Sequence, residues 1–319
     1  MKNDVENRLK SELGENLSSN VVLKEFTSIK VGGVCDYFYR ALSIENLIKS
    51  ISLAISLEIP YFILGGGNNI IFSDIGFPGL VIKNESRDIH FLPAKGEVIV
   101  DSGVSLAKLL TESASRNLGG LEFLFGVPGT VGGAIYNNAG AFNQSISDTV
   151  RFVTLLIPNK KNGESKIVKY RSDWFNFKYR SSRLKELTQN LSFEDPRPVL
   201  LTAKLQLIQS KREVILNRMR TNLLWKKENQ PLPEMSAGSF FRNPGKEREQ
   251  SAGFLLEQVG AKKVHIGKAA VSKKHANFII NRGGAKAEEV KRLAEQLKIR
   301  VRDEYHITLE EEVEYVGRW

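Results

Sequence analysis

The stretch LGGLEFLFGVPGTVGGAIYNNAGAF, residues 118–142, decides how the rest of the chain is read. Seven of its residues are glycine, so its backbone must turn sharply or approach something closely. Its densest part, Gly126-Val127-Pro128-Gly129-Thr130-Val131-Gly132-Gly133-Ala134, has a counterpart upstream. There a short apolar strand, Tyr61-Phe62-Ile63-Leu64, runs directly into Gly65-Gly66-Gly67-Asn68-Asn69. Glycines after a strand let backbone N–H groups converge on an anion such as a pyrophosphate. A tight turn would explain either loop by itself. Two in the same part of the chain point to a long phosphate-bearing cofactor touched in more than one place. Neither is a P-loop, because no Gly-Lys-Ser/Thr follows, and GxGxxG is absent.

Outward from these loops the chain mixes helix and strand. Ser43 is placed to cap a helix whose apolar positions Leu47, Ile48, Ile51, Ala54 and Ile55 keep the helical period and stop before Pro60. A strand at Val98–Asp101 leads into Ser105, a cap for a helix carrying Leu106, Leu109, Leu110 and Ala114 and closed by Gly119-Gly120. Further strands are expected at Val150–Ile157 and Ile167–Tyr170, joined by a turn through Lys161-Asn162-Gly163. Residues 199–208 alternate, with Leu201, Ala203, Leu205 and Leu207 on one face. Helices over 211–224 and 251–259 follow, then an amphipathic one with Val290, Leu293, Ala294 and Leu297 aligned, then an acidic strand-like end, Ile307–Val316. The domain boundary is expected near residue 211.

At 319 residues, with 41% hydrophobic and 26% charged side chains, the chain has the size of two or three globular domains rather than a fibrous or disordered protein. No segment approaches the roughly 20 apolar residues of a membrane span. The first residues, MKNDVENRLKSELGENL, lack the apolar core of a signal peptide, so a cytoplasmic protein is expected. One cysteine, Cys35, excludes an internal disulfide and a cysteine-based metal site. None of His90, His265, His275 and His306 is spaced as a metal pair, so no metal is expected. The net charge of +10 is uneven: residues 211–319 hold 22 Lys+Arg against 15 Asp+Glu, net +7. A basic final third suits a pocket for an anionic ligand, and a solvated basic surface accounts for it equally well. No zinc-finger, RNP or basic-zipper pattern supports nucleic-acid binding.

Three groups of side chains could carry chemistry. Ser239, in Gly238-Ser-Phe-Phe-Arg-Asn-Pro244, is either a turn serine or a proton donor in a dry pocket. His275 lies in Ser272-Lys-Lys-His-Ala-Asn277, just before an apolar run, as a polar contact or a surface histidine. In Glu310-Glu311-Glu312, strand alternation would send Glu310 and Glu312 one way and Glu311 the other.

Taken together these segments resemble the UDP-N-acetylenolpyruvoylglucosamine reductase family, from Thr27-Ser-Ile-Lys-Val-Gly-Gly33 to Gly317. Six pieces occur in the family's order: LGGGNNIIFSDIGFPGLVI, GLEFLFGVPGTVGGAIYNNAGAF, Tyr179-Arg180-x-Ser182, AGSFFRNP, SKKHANFIIN and LEEEVEYVG. The resemblance implies an α+β fold. A two-part FAD-binding domain of the vanillyl-alcohol-oxidase (PCMH) type would span residues 1–210, split near 85. A smaller α+β substrate domain would span 211–313, and a terminal strand, 314–319, would return to the first subdomain. The implied reaction passes hydride from NADPH through non-covalent FAD to the enolpyruvyl double bond of UDP-N-acetylglucosamine enolpyruvate, giving UDP-N-acetylmuramate for peptidoglycan.

By the same resemblance Ser239 is the proton donor, Arg180 the clamp on the substrate carboxylate, and Glu312 a protonated acid that stabilises the enolate-like intermediate. Gly65, Gly66, Gly67, Asn68 and Asn69, with Gly126, Val127, Pro128, Gly129, Thr130, Gly132, Gly133 and Ala134, would hold FAD. Tyr179, Asn243 and His275 would contact substrate, and Lys226 or Lys227 its diphosphate. Asn68 stands where the family usually has serine, and the family's Leu-Glu-Pro-Glu-Val-Arg is here Leu309-Glu-Glu-Glu-Val-Glu314. No tyrosine loop is evident between 183 and 211, which implies the family's shorter variety. A monomer without membrane or nucleic-acid partners is expected. The alternatives are a basic nucleotide- or nucleic-acid-binding protein without redox chemistry, and a flavin oxidase of the same fold.

Overall fold

The computed structural model describes residues 2–159, 165–189, 191–232 and 234–319, with backbone alone at Lys2 and Asn3. The turn expected at Lys161-Asn162-Gly163 lies outside the described residues. The chain forms two compact units, the first made of Met1–Asn20, Asp36–Gly66 and Pro78–Leu224, the second of Val21–Cys35, Gly67–Phe77 and Trp225–Trp319.

The first unit is built largely on two sheets. One has the spatial order Leu17–Val22, Val34–Ala41, Phe77–Asn84, Tyr61–Leu64. The other is antiparallel, in the order Ser165–Arg171, Val150–Pro158, Val199–Gln206, Glu97–Asp101, Ile89–Leu92. The helix Ile44–Ser56 forms as its sequence predicts. The Ser43 hydroxyl accepts the Asn46 N–H at 3.2 Å, and Leu47, Ile51 and Ala54 are fully buried. Each such leucine or isoleucine contributes about 2 kcal/mol of burial. The helix Leu106–Ser115 ends before the expected glycines because Asn117 already turns left-handed, at φ 59°. In Val199–Gln206 the alternation is broken by a register shift opposite Thr154/Leu155. Val199 and Leu201 enter one core, while Leu200, Ala203 and Leu205 enter another.

The second unit carries an antiparallel sheet of His265–Ile266, Ala269–Val271 and Ile279–Asn281, and the helix Ala287–Tyr305. That helix buries Val290, Leu293, Ala294, Leu297 and Val301 against Phe240, Phe241, Leu255 and Leu256. The acidic end is a strand over Glu314–Val316 only, paired in parallel with Ile70–Phe72. The two early stretches belong here for physical reasons. Ile29, Val31 and Ile71 lie in this core, and the Asp74 carboxylate accepts the N–H groups of Ala287 and Glu288 at 2.9 and 3.0 Å, capping the long helix. Gly67 lets the stretches meet. At φ 69° it is left-handed, and a Cβ there would stand 2.0 Å from the Phe26 carbonyl oxygen. The division therefore falls at 224/225, inside the helix Arg212–Asn229, where the sequence expectation placed it near 211. Among the described residues no helix is long and apolar enough to cross a membrane.

Candidate active site

In the first unit the two glycine-rich loops come together. A Cβ on Gly65 would sit 2.7 Å from Thr130 Oγ1, so the loops close only because residue 65 has no side chain. Tyr61–Leu64 delivers Gly65 from a parallel pair with Phe77–Asn84, in which Leu64 stands opposite Lys83. The Lys83 ammonium donates to the Gly65 carbonyl. Burial pushes its pKa down, opposed by the nearby Glu85 carboxylate. The second loop is anchored from behind. The N–H groups of Val131 and Gly132 donate to the Val104 and Ser102 carbonyls, both at 2.9 Å, and Leu106 N–H donates to Gly129 at 3.0 Å. Gly126, Pro128 and Gly133 stay exposed, as does Gly66; Thr130 and Ala134 are buried, and Val127, Gly129 and Gly132 half-buried. Exposed glycine backbone beside a lysine at the carboxyl ends of parallel strands is a cradle for phosphate.

Tyr179 and Arg180 form the tip of a tight turn. The N–H of Lys178 donates to the Ser181 carbonyl and the N–H of Ser181 to the Lys178 carbonyl, both at 3.1 Å. Arg180 takes φ 54°, left-handed for a residue with a Cβ. Its guanidinium lies 5.6 Å from the Tyr179 ring centroid. The residues after the second glycine loop support this turn. Asn138 Nδ2 donates to the Lys178 carbonyl at 2.9 Å, Ser182 Oγ donates to the Tyr136 carbonyl at 2.7 Å, and Lys185 Nζ donates to Asn137 Oδ1 at 2.7 Å.

In the second unit Ser239 and Glu312 lie on paired segments. Phe240 accepts the Glu312 N–H, and Glu310 accepts the Arg242 N–H, both at 2.8 Å. Phe241 and Glu311 face each other in an antiparallel bridge. Glu310 and Glu311 find different partners. Glu310 is 3.4 Å from Arg242, and Glu311 turns the other way to Lys298 at 3.0 Å. Burial first, then Glu311, drives the Tyr315 hydroxyl pKa far up. Ser239 and Glu312 are both half-buried. The Ser239 segment is pinned by Asn277, whose side chain accepts the Phe241 N–H at 2.9 Å and donates to the Phe241 carbonyl at 2.8 Å.

The remaining expected residues divide. His275 is half-buried; its Nδ1 accepts the Asn277 N–H at 3.1 Å, so in the neutral ring the proton sits on Nε2. Desolvation, reinforced by Lys262, lowers its pKa. Asn243 is exposed, and its Oδ1 accepts the Ala252 N–H at 3.1 Å, at the start of the helix Ala252–Gln258. Lys227 is exposed while Lys226 is buried. Gly67 and Asn69 are absorbed by the second unit: Gly67 accepts the Ser28 N–H at 3.0 Å, and Asn69 bonds the Glu312 segment. Asn68 is half-buried. Sequence reading missed Lys83, Asn138 and Asn277. The available signal was a lysine or asparagine beside glycine-rich or apolar stretches, which marks a buried polar group in need of partners. Among the described residues no cluster of metal-ligating side chains occurs.

Comparison with known proteins places this geometry. Residues 35–161 match the family described as FAD binding domain, and residues 230–316 match the UDP-N-acetylenolpyruvoylglucosamine reductase, C-terminal domain. A protein of Clostridium novyi with the name UDP-N-acetylenolpyruvoylglucosamine reductase is 35% identical over 317 residues, covering 98% of this chain and 97% of its own. The Bacillus subtilis protein of that name is 34% identical over 307 residues, 96% and 95% of the two chains. The crystal structure of the reductase from Thermus caldophilus superposes with a TM-score of 0.74 at 32% identity, covering 93% of this chain and 98% of that one. The fold class is thus α+β, an FAD-binding part followed by a smaller C-terminal part.

Proposed function

This chain belongs to the UDP-N-acetylenolpyruvoylglucosamine reductase family, and from that premise we propose that it reduces UDP-N-acetylglucosamine enolpyruvate to UDP-N-acetylmuramate for peptidoglycan. The observation that carries the reading is the backbone pairing of the Ser239 and Glu312 segments within one unit. The residues of the first unit fit FAD. The tight Gly65–Thr130 approach, the exposed Gly66, Gly126 and Gly133, and the Lys83 cation supply donors and charge for a diphosphate. FAD, when bound, supplies the hydride acceptor and donor that links NADPH to the terminal vinyl carbon of the substrate.

The chain's own residues handle charge and protons. Hydride arrival leaves negative charge on the substrate carbon beside the carboxylate, and fixed donors must stabilise it. The Ser239 hydroxyl gives its proton to that carbon. Glu312 presents its carboxyl group to the enolate oxygen as its partner there. Arg180, always charged, holds the substrate carboxylate in a fork. Tyr179 in the first unit, and Asn243 and His275 in the second, are each assigned to the substrate by their motifs, and Lys227 to its diphosphate. The same reading has the enzyme work in the cytoplasm as a monomer that uses NADPH. The binding-protein and oxidase alternatives are not favoured, since the near-full-length relatives carry the name of a reductase.

Flavin absorbance tests this directly. The purified protein should bleach with NADPH under anaerobic conditions and recover its band on addition of UDP-N-acetylglucosamine enolpyruvate. Ser239→Ala should keep FAD and its reduction by NADPH but slow recovery by about 10²–10⁴-fold, the usual size of a general-acid contribution. Recovery at the wild-type rate would remove Ser239 from the role, and no recovery in wild type would remove the substrate.

A further inference from the structure

Asn69 sits in the first glycine-rich loop, yet both of its hydrogen-bonding ends point into the second unit. Its side-chain Nδ2 donates to the Glu312 carbonyl at 2.9 Å, and its own carbonyl accepts the Glu314 N–H at 2.9 Å. The Glu312 N–H is held by the Phe240 carbonyl at 2.8 Å. The peptide groups on both sides of the Glu312 Cα are therefore fixed, one by the residue after Ser239 and one by the Asn69 amide. Glu311 adds a third tether on the opposite face, to Lys298. The strand Glu314–Val316 begins two residues further on. An acid that must meet a developing charge needs placement to within fractions of an ångström.

We infer that Asn69 is a positioning residue for Glu312, acting on the proton-handling half of the reaction rather than on cofactor binding. The inference rests on the role proposed for Glu312. Its side-chain amide reaches the acid's own backbone, so its loss lets the Glu312 carboxyl drift while the loop's backbone donors stay.

The test combines Asn69→Ala, Asn69→Asp and Glu312→Gln in the FAD-loaded enzyme. Flavin content comes from the visible band, and stopped-flow absorbance separates reduction by NADPH from reoxidation by UDP-N-acetylglucosamine enolpyruvate. Both Asn69 variants should keep their flavin, be reduced within about two-fold of the wild-type rate, and be reoxidised about ten-fold more slowly, the size expected for one lost hydrogen bond. In the Glu312→Gln background, Asn69→Ala should add less than about two-fold, because the two residues act as one unit. A ten-fold loss in both backgrounds overturns the inference, since a general structural defect behaves that way. Loss of flavin from both Asn69 variants overturns it too, and makes Asn69 a cofactor contact. If Glu312→Gln alone leaves reoxidation unchanged, the proposed role of Glu312 fails first and the inference with it.

Discussion

Arg180 is expected to be held at a cost in stability, and two substitutions measure that cost. Its φ of 54° puts a side-chain-bearing residue in the left-handed region, which costs roughly 1–2 kcal/mol for an L-residue. Arg180→Ala removes the guanidinium and keeps the Cβ, so the strain stays. Arg180→Gly removes both, and the greater freedom of glycine in the unfolded chain returns about 0.5–1 kcal/mol of the gain. The glycine variant should therefore be more stable than the alanine variant by about 0.5–1 kcal/mol. In a protein of this size that is a shift of roughly 1–4 °C. The measurement is thermal melting of both variants, FAD-loaded, at one protein concentration. Both should bleach with NADPH, and both should recover slowly with the enolpyruvyl substrate, because the fork proposed to grip the carboxylate is gone from each. An alanine variant as stable as the glycine variant would refute the strain, and rapid recovery in either would refute the clamp.

Gly65→Ala places a methyl 2.7 Å from Thr130 Oγ1, so the loops must part by several tenths of an ångström. Overpacking of this kind costs about 1–3 kcal/mol. FAD affinity, followed by flavin fluorescence on titration of apoprotein, should fall about ten-fold or more, and affinity within two-fold of wild type would dissolve the cradle. For His275 the folded pKa lies below its ordinary 6.5. The unfolded chain then takes up the proton first as pH falls, and stability is lost from about pH 6.5 down to the depressed value, by at most about 1.4 kcal/mol per pH unit. Urea melts between pH 8 and 5 should show this acid-side slope in wild type and a shallower one in His275→Gln, and equal slopes would discount the burial of the ring.

What the sequence reveals of this fold follows from how one-sided each element is. The helix at Ile44–Ser56 and the long helix Ala287–Tyr305 bury one stripe, so their apolar period is visible in the residues. The strands Val34–Ala41 and Phe77–Asn84 are buried on both faces over much of their length and show no alternation to read, and Pro78 weakens the second further. Of the candidate site, the residues expected to carry chemistry stand out because their motifs do. Their supports are legible only as buried polar groups: the local sequence does not say that Asn277 clamps Phe241, or that Asn138 props the Lys178–Ser181 turn. Each partner lies about 36–40 residues away in the chain, and only the fold supplies it. The same applies to the boundary, since a helix that runs unbroken from Arg212 to Asn229 carries no composition break where the units divide.

The way the second unit is threaded also fixes an order in time. Ile29, Val31 and Ile71 are made early, but the core that buries them is completed by residues 225–319. At about 5–20 residues per second on the ribosome, the interval between residue 77 and residue 225 lasts on the order of 10 s. The early segments spend that interval without their partners, bearing exposed apolar side chains that invite a chaperone or a wrong contact. The strand after Glu312 is among the last to arrive and pairs with Ile70–Phe72, among the longest kept waiting. Synthesis of this chain therefore finishes the glycine loops proposed to cradle phosphate well before it finishes Glu312, so on the proposed roles a nascent molecule has the means to hold a cofactor before it has the means to act with it.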